Sequence, residues 1–140
     1  MGKLQPHVSH ERDVDVEEWP GIVRWRTLVS ADRTPTAGLT VGVAEIEPGA
    51  SEAGSRHRHA AHETYYVISG TGRVHLDGVE HPIEPGSVVF VPGQTWHFVR
   101  NTGPITLRLL YTFAVDRFDE VVYEHADLDA ADDAPVDGVT

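Results

Sequence analysis

The chain has 140 residues, of which 40% are hydrophobic, and this suits one domain with a core of its own. It contains no cysteine, so disulfides and thiolate metal sites are excluded, and any metal must be bound by His, Asp or Glu. The net charge of −11 comes without a basic stripe, which argues against nucleic-acid binding. No apolar run approaches the ~18 residues of a membrane span, and residues 1–10 do not resemble a signal peptide, so we expect a cytoplasmic protein without a membrane partner.

The acidic residues are concentrated at the two ends of the chain. Residues 11–18 carry five acids and one Arg, and residues 124–140 carry six acids and no Lys or Arg. Residues 19–123 hold eleven acids and nine Arg, a net charge of −2. We therefore predict an N-terminal arm over 1–18, one folded domain over 19–123, and an acidic, disordered tail over 124–140.

Short β-strands separated by Gly, Pro and Asp turns account for the body of the chain, and no helical periodicity of useful length is present. In chain order, the predicted strands cover residues 22–29, 39–46, 64–68, 73–76, 79–83, 88–91, 96–100 and 105–114. Residues 115–123 favour either a last strand or a helical turn. Turns recur about every ten residues, which is typical of an all-β sandwich or barrel.

Histidines are dense in the middle of this pattern, beginning with His57-Arg58-His59. Residues i and i+2 of a strand point to the same side, so His57 and His59 can both bind one metal ion. Glu63 would join them if the strand continued unbroken, or if a turn at Ala60-Ala61 redirected the chain. Imidazole and carboxylate ligands suit Fe, Mn, Ni, Cu or Zn.

Two sequence motifs resemble those of the cupin family. From His57, the chain reads His, one residue, His, three residues, Glu63, six residues and Gly70, which matches the first cupin motif apart from its leading Gly. Gly86, Pro92, His97 and Asn101 match the second motif. One glycine of that motif is replaced by Gln94, next to Gly93.

This resemblance implies a double-stranded β-helix, or jelly-roll, barrel. It also implies one divalent transition metal ion, held by His57, His59, Glu63 and His97, all of which are residue types that bind metals. The family further suggests a homodimer formed through sheet edges or exchanged N-terminal strands.

Strand parity predicts the surroundings of the metal. Tyr65 shares the side of Glu63, and the alternating apolar residues of the last long strand are assigned inward: Leu107, Leu109, Tyr111 and Phe113. The cavity should then be mostly apolar, as small-molecule sites usually are. Glu63, Tyr65 and His62 are the candidate acids and bases, although the parity of His62 favours a surface position.

Three arginines are candidates for binding a substrate carboxylate, namely Arg24, Arg26 and Arg108. Pairing with nearby acids at the surface is the simpler interpretation, and we expect it for two of the three.

Three functions remain open. The first, which we rank slightly ahead of the second, is an oxygen-dependent dioxygenase acting on a small enolisable or phenolic compound, with substrate and O₂ at open metal positions. The second is a non-redox lyase, isomerase, decarboxylase or polyketide cyclase that uses the same four ligands to stabilise an enolate. The third is a module that binds a small ligand without reaction. A complete ligand set in a short chain favours an enzyme, and the fold alone does not choose the reaction.

Overall fold

A computed structural model describes residues 3–50 and 56–126 of the chain. In these residues, eleven strands form two antiparallel sheets that enclose one core. No helix within these two ranges is long and apolar enough to cross a membrane. The predicted all-β, double-stranded β-helix barrel is therefore confirmed.

The larger sheet has six strands in the order β1-β2-β3-β10-β5-β8. Their bounds are Glu17–Trp19 (β1), Val23–Val29 (β2), Thr40–Ile46 (β3), Glu63–Ser69 (β5), Val88–Val91 (β8) and Leu107–Phe113 (β10). The smaller sheet has five strands in the order β11-β4-β9-β6-β7. Their bounds are His57–Arg58 (β4), Gly72–Leu76 (β6), Val79–Ile83 (β7), His97–Asn101 (β9) and Glu124–His125 (β11).

The core lies between the two sheets and is made of alternating strand residues. In β10 the four residues assigned inward are all buried, while the residues between them are only partly covered. Val67 and Val91 from the larger sheet meet Val74 and Val99 from the smaller sheet in the same cluster. Burying such side chains contributes about 1.5–3 kcal/mol each, which explains why the alternation fixes the register of every strand.

Both ends of the folded body lie beyond the predicted limits of 19 and 123. β1 begins at Glu17 and pairs with β2, and β11 ends at His125 and pairs with β4. Residues 124–126 therefore do not belong to a disordered tail, and residues 127–140 lie outside the described residues. Between β10 and β11 the chain forms a short 3-10 helix, Phe118–Glu120, which decides between the two structures predicted for residues 115–123.

Candidate metal centre and pocket

Three buried histidines meet between the sheets. His57 on β4 lies directly opposite His97 on β9, with ring centroids 4.3 Å apart. His59 follows β4, and its ring centroid lies 4.9 Å from that of His97. One ring nitrogen from each residue lies within 4.8 Å of the other two.

Glu63 completes this group from the opposite sheet. It is the first residue of β5 and is buried. Its Oε1 lies 3.2 Å from Nε2 of His59 and 3.3 Å from Nε2 of His97. The chain leaves the smaller sheet after Arg58, bends at Ala60-Ala61, and enters the larger sheet at Glu63, so a turn rather than an unbroken strand delivers the carboxylate.

Backbone carbonyl groups fix the orientation of two of the imidazoles. Nδ1 of His59 lies 2.8 Å from the carbonyl oxygen of Ala61, and Nδ1 of His97 lies 2.7 Å from that of Thr95. A carbonyl oxygen can only accept, so both Nδ1 atoms carry the proton. In the neutral rings, the Nε2 lone pairs then point at the Glu63 carboxylate.

This concentration of lone pairs and negative charge would attract a cation. Three imidazoles and one carboxylate, with the far ring nitrogens hydrogen-bonded to backbone, form a ligand set that fits a divalent transition metal ion. Burial by itself raises the pKa of Glu63, but hydrogen bonds from His59 and His97 and their positive charge, when these rings are doubly protonated, outweigh burial and hold that pKa below its usual value. A metal ion bound to the neutral rings would supply positive charge at the same place and so favour the ionised carboxylate.

A second turn supports this ligand set from the His97 side. The backbone N–H of Gln94 donates to the carbonyl oxygen of His59 at 2.7 Å, which joins the turn before β9 to the loop after β4. Gly93 lies so close to the carbonyl oxygen of Ala60 that a Cβ would collide with it. Gln94 adopts a φ of 65°, the left-handed conformation that glycine tolerates best, at the position where the cupin motif has glycine.

His62 lies outside the site, and its predicted role as an acid or base is wrong. The side chain is exposed, and its Nδ1 accepts a hydrogen bond from the backbone N–H of Gly93 at 2.9 Å. Its ring packs on Phe90 at a centroid distance of 5.7 Å. The parity argument that favoured a surface position holds because β5 begins at residue 63 and turns residue 62 outward.

A pocket of about 280 Å³ extends from the ligand set. Tyr65 lines it beside Glu63, as the parity of β5 predicts. Seven of its fifteen lining residues are Phe, Trp or Tyr: Trp19, Trp25, Tyr65, Tyr111, Phe113, Phe118 and Tyr123. Among the described residues, no Lys or Arg lines it.

Tyr111 is held in the pocket wall by its neighbours Thr27 and Gly42. Its hydroxyl lies 3.3 Å from Oγ1 of Thr27, and a Cβ on Gly42 would collide with the end of its ring. Burial raises the pKa of Tyr111 to about 12, so the phenol is neutral at physiological pH. Tyr111 therefore serves as a hydrogen-bonding wall residue and not as a base.

Sequence reasoning missed the residues at the ends of the chain that line the pocket. Trp19 of β1 and His125 of β11 both lie in the pocket wall, as does Tyr123, whose ring centroid is 5.1 Å from that of His57. The sequence near Tyr123 gave only a slight indication of this position. Val121 is buried, Val122 is exposed and Tyr123 is half-buried, and an alternation over three residues is too short to identify a strand.

None of the three candidate arginines reaches the pocket. Arg24 pairs with Glu45 and Glu47, and Arg108 pairs with Glu11 and Glu45. Arg26 donates through Nε to the carbonyl oxygen of Val14 at 3.0 Å. The expected pairing with acids is found for two of the three, Arg24 and Arg108. Arg26 does not line the described pocket either, so none of the three is placed to bind a substrate carboxylate there.

Comparisons with known proteins identify the family. Residues 42–113 match the model of the cupin domain. The chain belongs to the cupin family. The dimethylsulfoniopropionate lyase DddW of Ruegeria pomeroyi is 35% identical over 127 residues, which cover 84% of this chain and 80% of the relative.

Two further comparisons show how varied the related proteins are. A 5-nitrosalicylic acid 1,2-dioxygenase from Bradyrhizobium sp. is 32% identical over 68 residues, which cover 49% of this chain and 32% of that relative. The crystal structure of an RmlC-like cupin from Shewanella frigidimarina superposes with a TM-score of 0.68 and 25% identity, covering 85% of this chain and 99% of that one. Relatives of this chain thus include enzymes that carry out different reactions.

Proposed function

We propose that this cupin is a metal-dependent lyase that eliminates a leaving group from a small carboxylate carrying a sulfonium, of the kind named for the Ruegeria relative. The observation that carries the proposal is the make-up of the pocket wall. His57 and Glu63 of the ligand set line the pocket together with seven aromatic residues, and no Lys or Arg is present among its described lining residues. A zwitterion with a carboxylate for the ligand set and an onium cation for the aromatic rings complements this lining.

The aromatic wall supplies the binding site for the cation. The faces of Trp and Tyr rings attract onium groups through their quadrupoles, with about 2 kcal/mol or more for a desolvated contact. The rings of Trp25 and Phe118 are packed edge to face with centroids 6.3 Å apart, and the ring centroids of Phe118 and Tyr111 are 6.1 Å apart. The rings therefore hold one another in place. A small aliphatic anion without the cation would make no such contact with this wall.

The ligand set would bind the substrate carboxylate. A divalent ion held by His57, His59, Glu63 and His97 would polarise the substrate carboxylate and make the adjacent C–H bond more acidic. Since Glu63 lies within the ligand set, Tyr65 is the remaining group on the same side of β5 that can accept a proton. Its ring centroid lies 6.4 Å from that of His97, next to the set without belonging to it.

The elimination balances without an oxidant. Tyr65, reacting as its phenolate, takes the proton from the carbon next to the carboxylate, the C–H electron pair becomes the carbon–carbon double bond, and the C–S bond breaks with its pair on sulfur. Dimethylsulfoniopropionate would give neutral dimethyl sulfide, acrylate and one proton, which Tyr65 passes to solvent. The apolar wall excludes water from the carbanionic stage.

The test is to load the protein with Fe, Mn, Ni, Cu or Zn in turn and to measure dimethyl sulfide in the headspace and acrylate in solution. We expect both products in equal amounts, at least ~100-fold less of both with Tyr65→Phe, and wild-type rates with His62→Phe. Loss of the product in Tyr65→Phe with retained metal would assign the proton transfer. Absence of both products with every metal would overturn the proposed lyase.

An oxygen-dependent dioxygenase is the second candidate. The same four ligands and the similarity to the 5-nitrosalicylic acid dioxygenase favour it, and an aromatic wall also suits a phenolic ring. Oxygen uptake with salicylate-type and enolisable substrates, measured on the same metal-loaded samples, separates it from the lyase, which consumes no oxygen.

A further inference from the structure

Three basic side chains surround Phe98 on the outer face of the smaller sheet, which faces away from the pocket. β4 pairs with β9, so Arg56, immediately before β4, lies beside Phe98 of β9. On the other side, His75 of β6 is the cross-strand partner of Phe98, and its ring stacks on the Phe98 ring with centroids 4.6 Å apart. Arg100 lies two positions farther along β9 and therefore on the same face. Arg56, His75 and Arg100 are called the outer basic group below.

Nitrogen atoms of all three side chains are buried without a hydrogen-bond partner. They are Nε and Nη2 of Arg56, Nδ1 of His75 and Nε of Arg100. Buried polar groups are normally paired, because an unpaired donor loses its hydration without gaining a bond. The concentration of such atoms at one place on the sheet favours an acceptor supplied by a ligand.

The charge of Arg56 is the one that most needs such an acceptor. Arg56 is only 4% exposed, and a buried charge without a counter-ion is costly. Its guanidinium carbon lies 5.9 Å from the ring centroid of Trp96, and a ring face attracts a cation but accepts no conventional hydrogen bond. Arg58 lies over the same ring at 4.6 Å and is paired with Glu124. Trp96 therefore positions Arg56 and leaves its N–H groups to an anion.

The acids on this face compensate only part of the positive charge. Glu80, the cross-strand partner of His75, forms an ion pair of 2.6 Å with Arg100. Asp77 accepts a hydrogen bond from the backbone N–H of Trp96 at 2.9 Å. With His75 protonated, the outer basic group carries three positive charges, of which the ion pair with Glu80 offsets one. A phosphate monoester carries about −1.5 to −2 near neutral pH and so matches the remainder.

We propose that Arg56, His75 and Arg100 bind the phosphate group of a small metabolite on the outer face of the smaller sheet. Guanidinium groups bind phosphate through parallel N–H bonds, and a protonated imidazole donates through both ring nitrogens. The side chain of Arg100 is 41% exposed and His75 is half-buried, so a ligand can reach the group from solution. The metal ligands lie on the inner side of the sheet, and the proposal does not depend on the proposed reaction.

The protonation of His75 should respond to the bound phosphate. Burial lowers the pKa of His75 below its ordinary value; Glu80 and Asp77 oppose this shift, and Arg56 and Arg100 add to it. A phosphate beside the ring would add negative charge and raise this pKa. The imidazole would therefore take up a proton when the ligand binds.

The test is a calorimetric titration of the metal-loaded protein with inorganic phosphate at low ionic strength, with the His75 ring followed by NMR. We expect one phosphate per chain that depends on this group, and a higher His75 pKa when phosphate is present. Arg56→Gln, His75→Gln and Arg100→Gln should each weaken binding by at least ~10-fold, because each removes a charge-assisted hydrogen bond. Arg12→Gln is the matched control. It removes the same charge from an exposed position on the N-terminal arm and should change the affinity by less than about 2-fold.

Several outcomes would overturn the proposal. One is a wild type that binds no phosphate. Equal affinity in the wild type and the three variants would show binding at the metal centre or an adventitious ion only. Acetate bound as tightly as phosphate would contradict the assignment to a phosphate group. Where Arg56→Gln fails to fold, as judged by its Tm and metal content, His75→Gln and Arg100→Gln decide.

The sequence offers one competing anion, Glu52, which belongs to residues 51–55 outside the described ranges. Glu52→Gln separates the two possibilities. We expect it to bind phosphate about as the wild type does. Binding that appears only in Glu52→Gln would show that the chain's own carboxylate pairs with Arg56, and the proposal would then be wrong.

Discussion

Trp19 and His125 meet edge to face across the mouth of the pocket, with ring centroids 5.7 Å apart. Trp19 belongs to β1, an outer strand of the larger sheet, and His125 belongs to β11, an outer strand of the smaller sheet. Two short outer strands, of three and two residues, therefore close over the same opening. β11 is held by two paired residues and by the contact of Arg58 with Glu124. Strands with so few contacts open at low free-energy cost.

We expect Trp19→Ala to loosen β11 without unfolding the barrel. An aromatic pair contributes about 0.5–1.5 kcal/mol, so exchange of the Ala126 amide, which donates to the carbonyl oxygen of Arg56, should accelerate by roughly 2- to 12-fold. Hydrogen exchange followed by mass spectrometry on the C-terminal peptide measures this. Val79→Ala is the control, and equal exchange in both variants would show that the ring pair does not hold the mouth closed.

Metal binding should depend on His59 and His97 and not on His62. We expect about one equivalent of metal in the wild type and in His62→Ala, and loss of most of it in His59→Ala and His97→Ala. The measurement is elemental analysis of untagged protein purified without chelators, together with Tm before and after EDTA. Metal at a thousand times its Kd stabilises the fold by about 4 kcal/mol, so EDTA should lower Tm in the wild type and in His62→Ala, but not in His59→Ala or His97→Ala. Equal metal content in all four proteins would refute the ligand assignment.

Long hydrophobic patterns in the sequence predicted their strands well, whereas short ones did not. β10 alternates over seven residues, and its inward side was predictable because each buried position reports the same face. β1 and β11 have three and two residues, too few for any period, so Trp19 and His125 were missed. The surroundings of Arg108 depend on Glu11 and Glu45, which come from distant parts of the chain, and no local pattern contains that information.

The alkaline stability of the protein should depend on Tyr111. Its pKa is raised to about 12 in the folded state, against an ordinary value of 10.0, so the folded state retains a proton that the unfolded state loses. The stabilisation is complete below pH 10 and declines as the pH rises toward 12, with a total loss of about 2–3 kcal/mol. Urea unfolding at several pH values in this range should show the decline in the wild type and in Tyr66→Phe. A similar decline in Tyr111→Phe would assign it to another group.

Substitutions at Gln94 and Gly93, which are neighbours in one turn, should change different properties: the stability of the fold at Gln94 and the metal affinity at Gly93. Gln94→Gly removes a side chain from a φ of 65° and should raise the free energy of unfolding by about 1 kcal/mol, with metal affinity unchanged. Gly93→Ala places a Cβ against the carbonyl oxygen of Ala60, next to His59, so the backbone must shift. Since this loop orients a ligand, metal affinity should fall by roughly 10–100-fold. Competition titration with a chromogenic chelator measures the affinities, and urea unfolding of the metal-free proteins measures stability. Equal metal affinity in the two variants would show that the turn supports the fold alone.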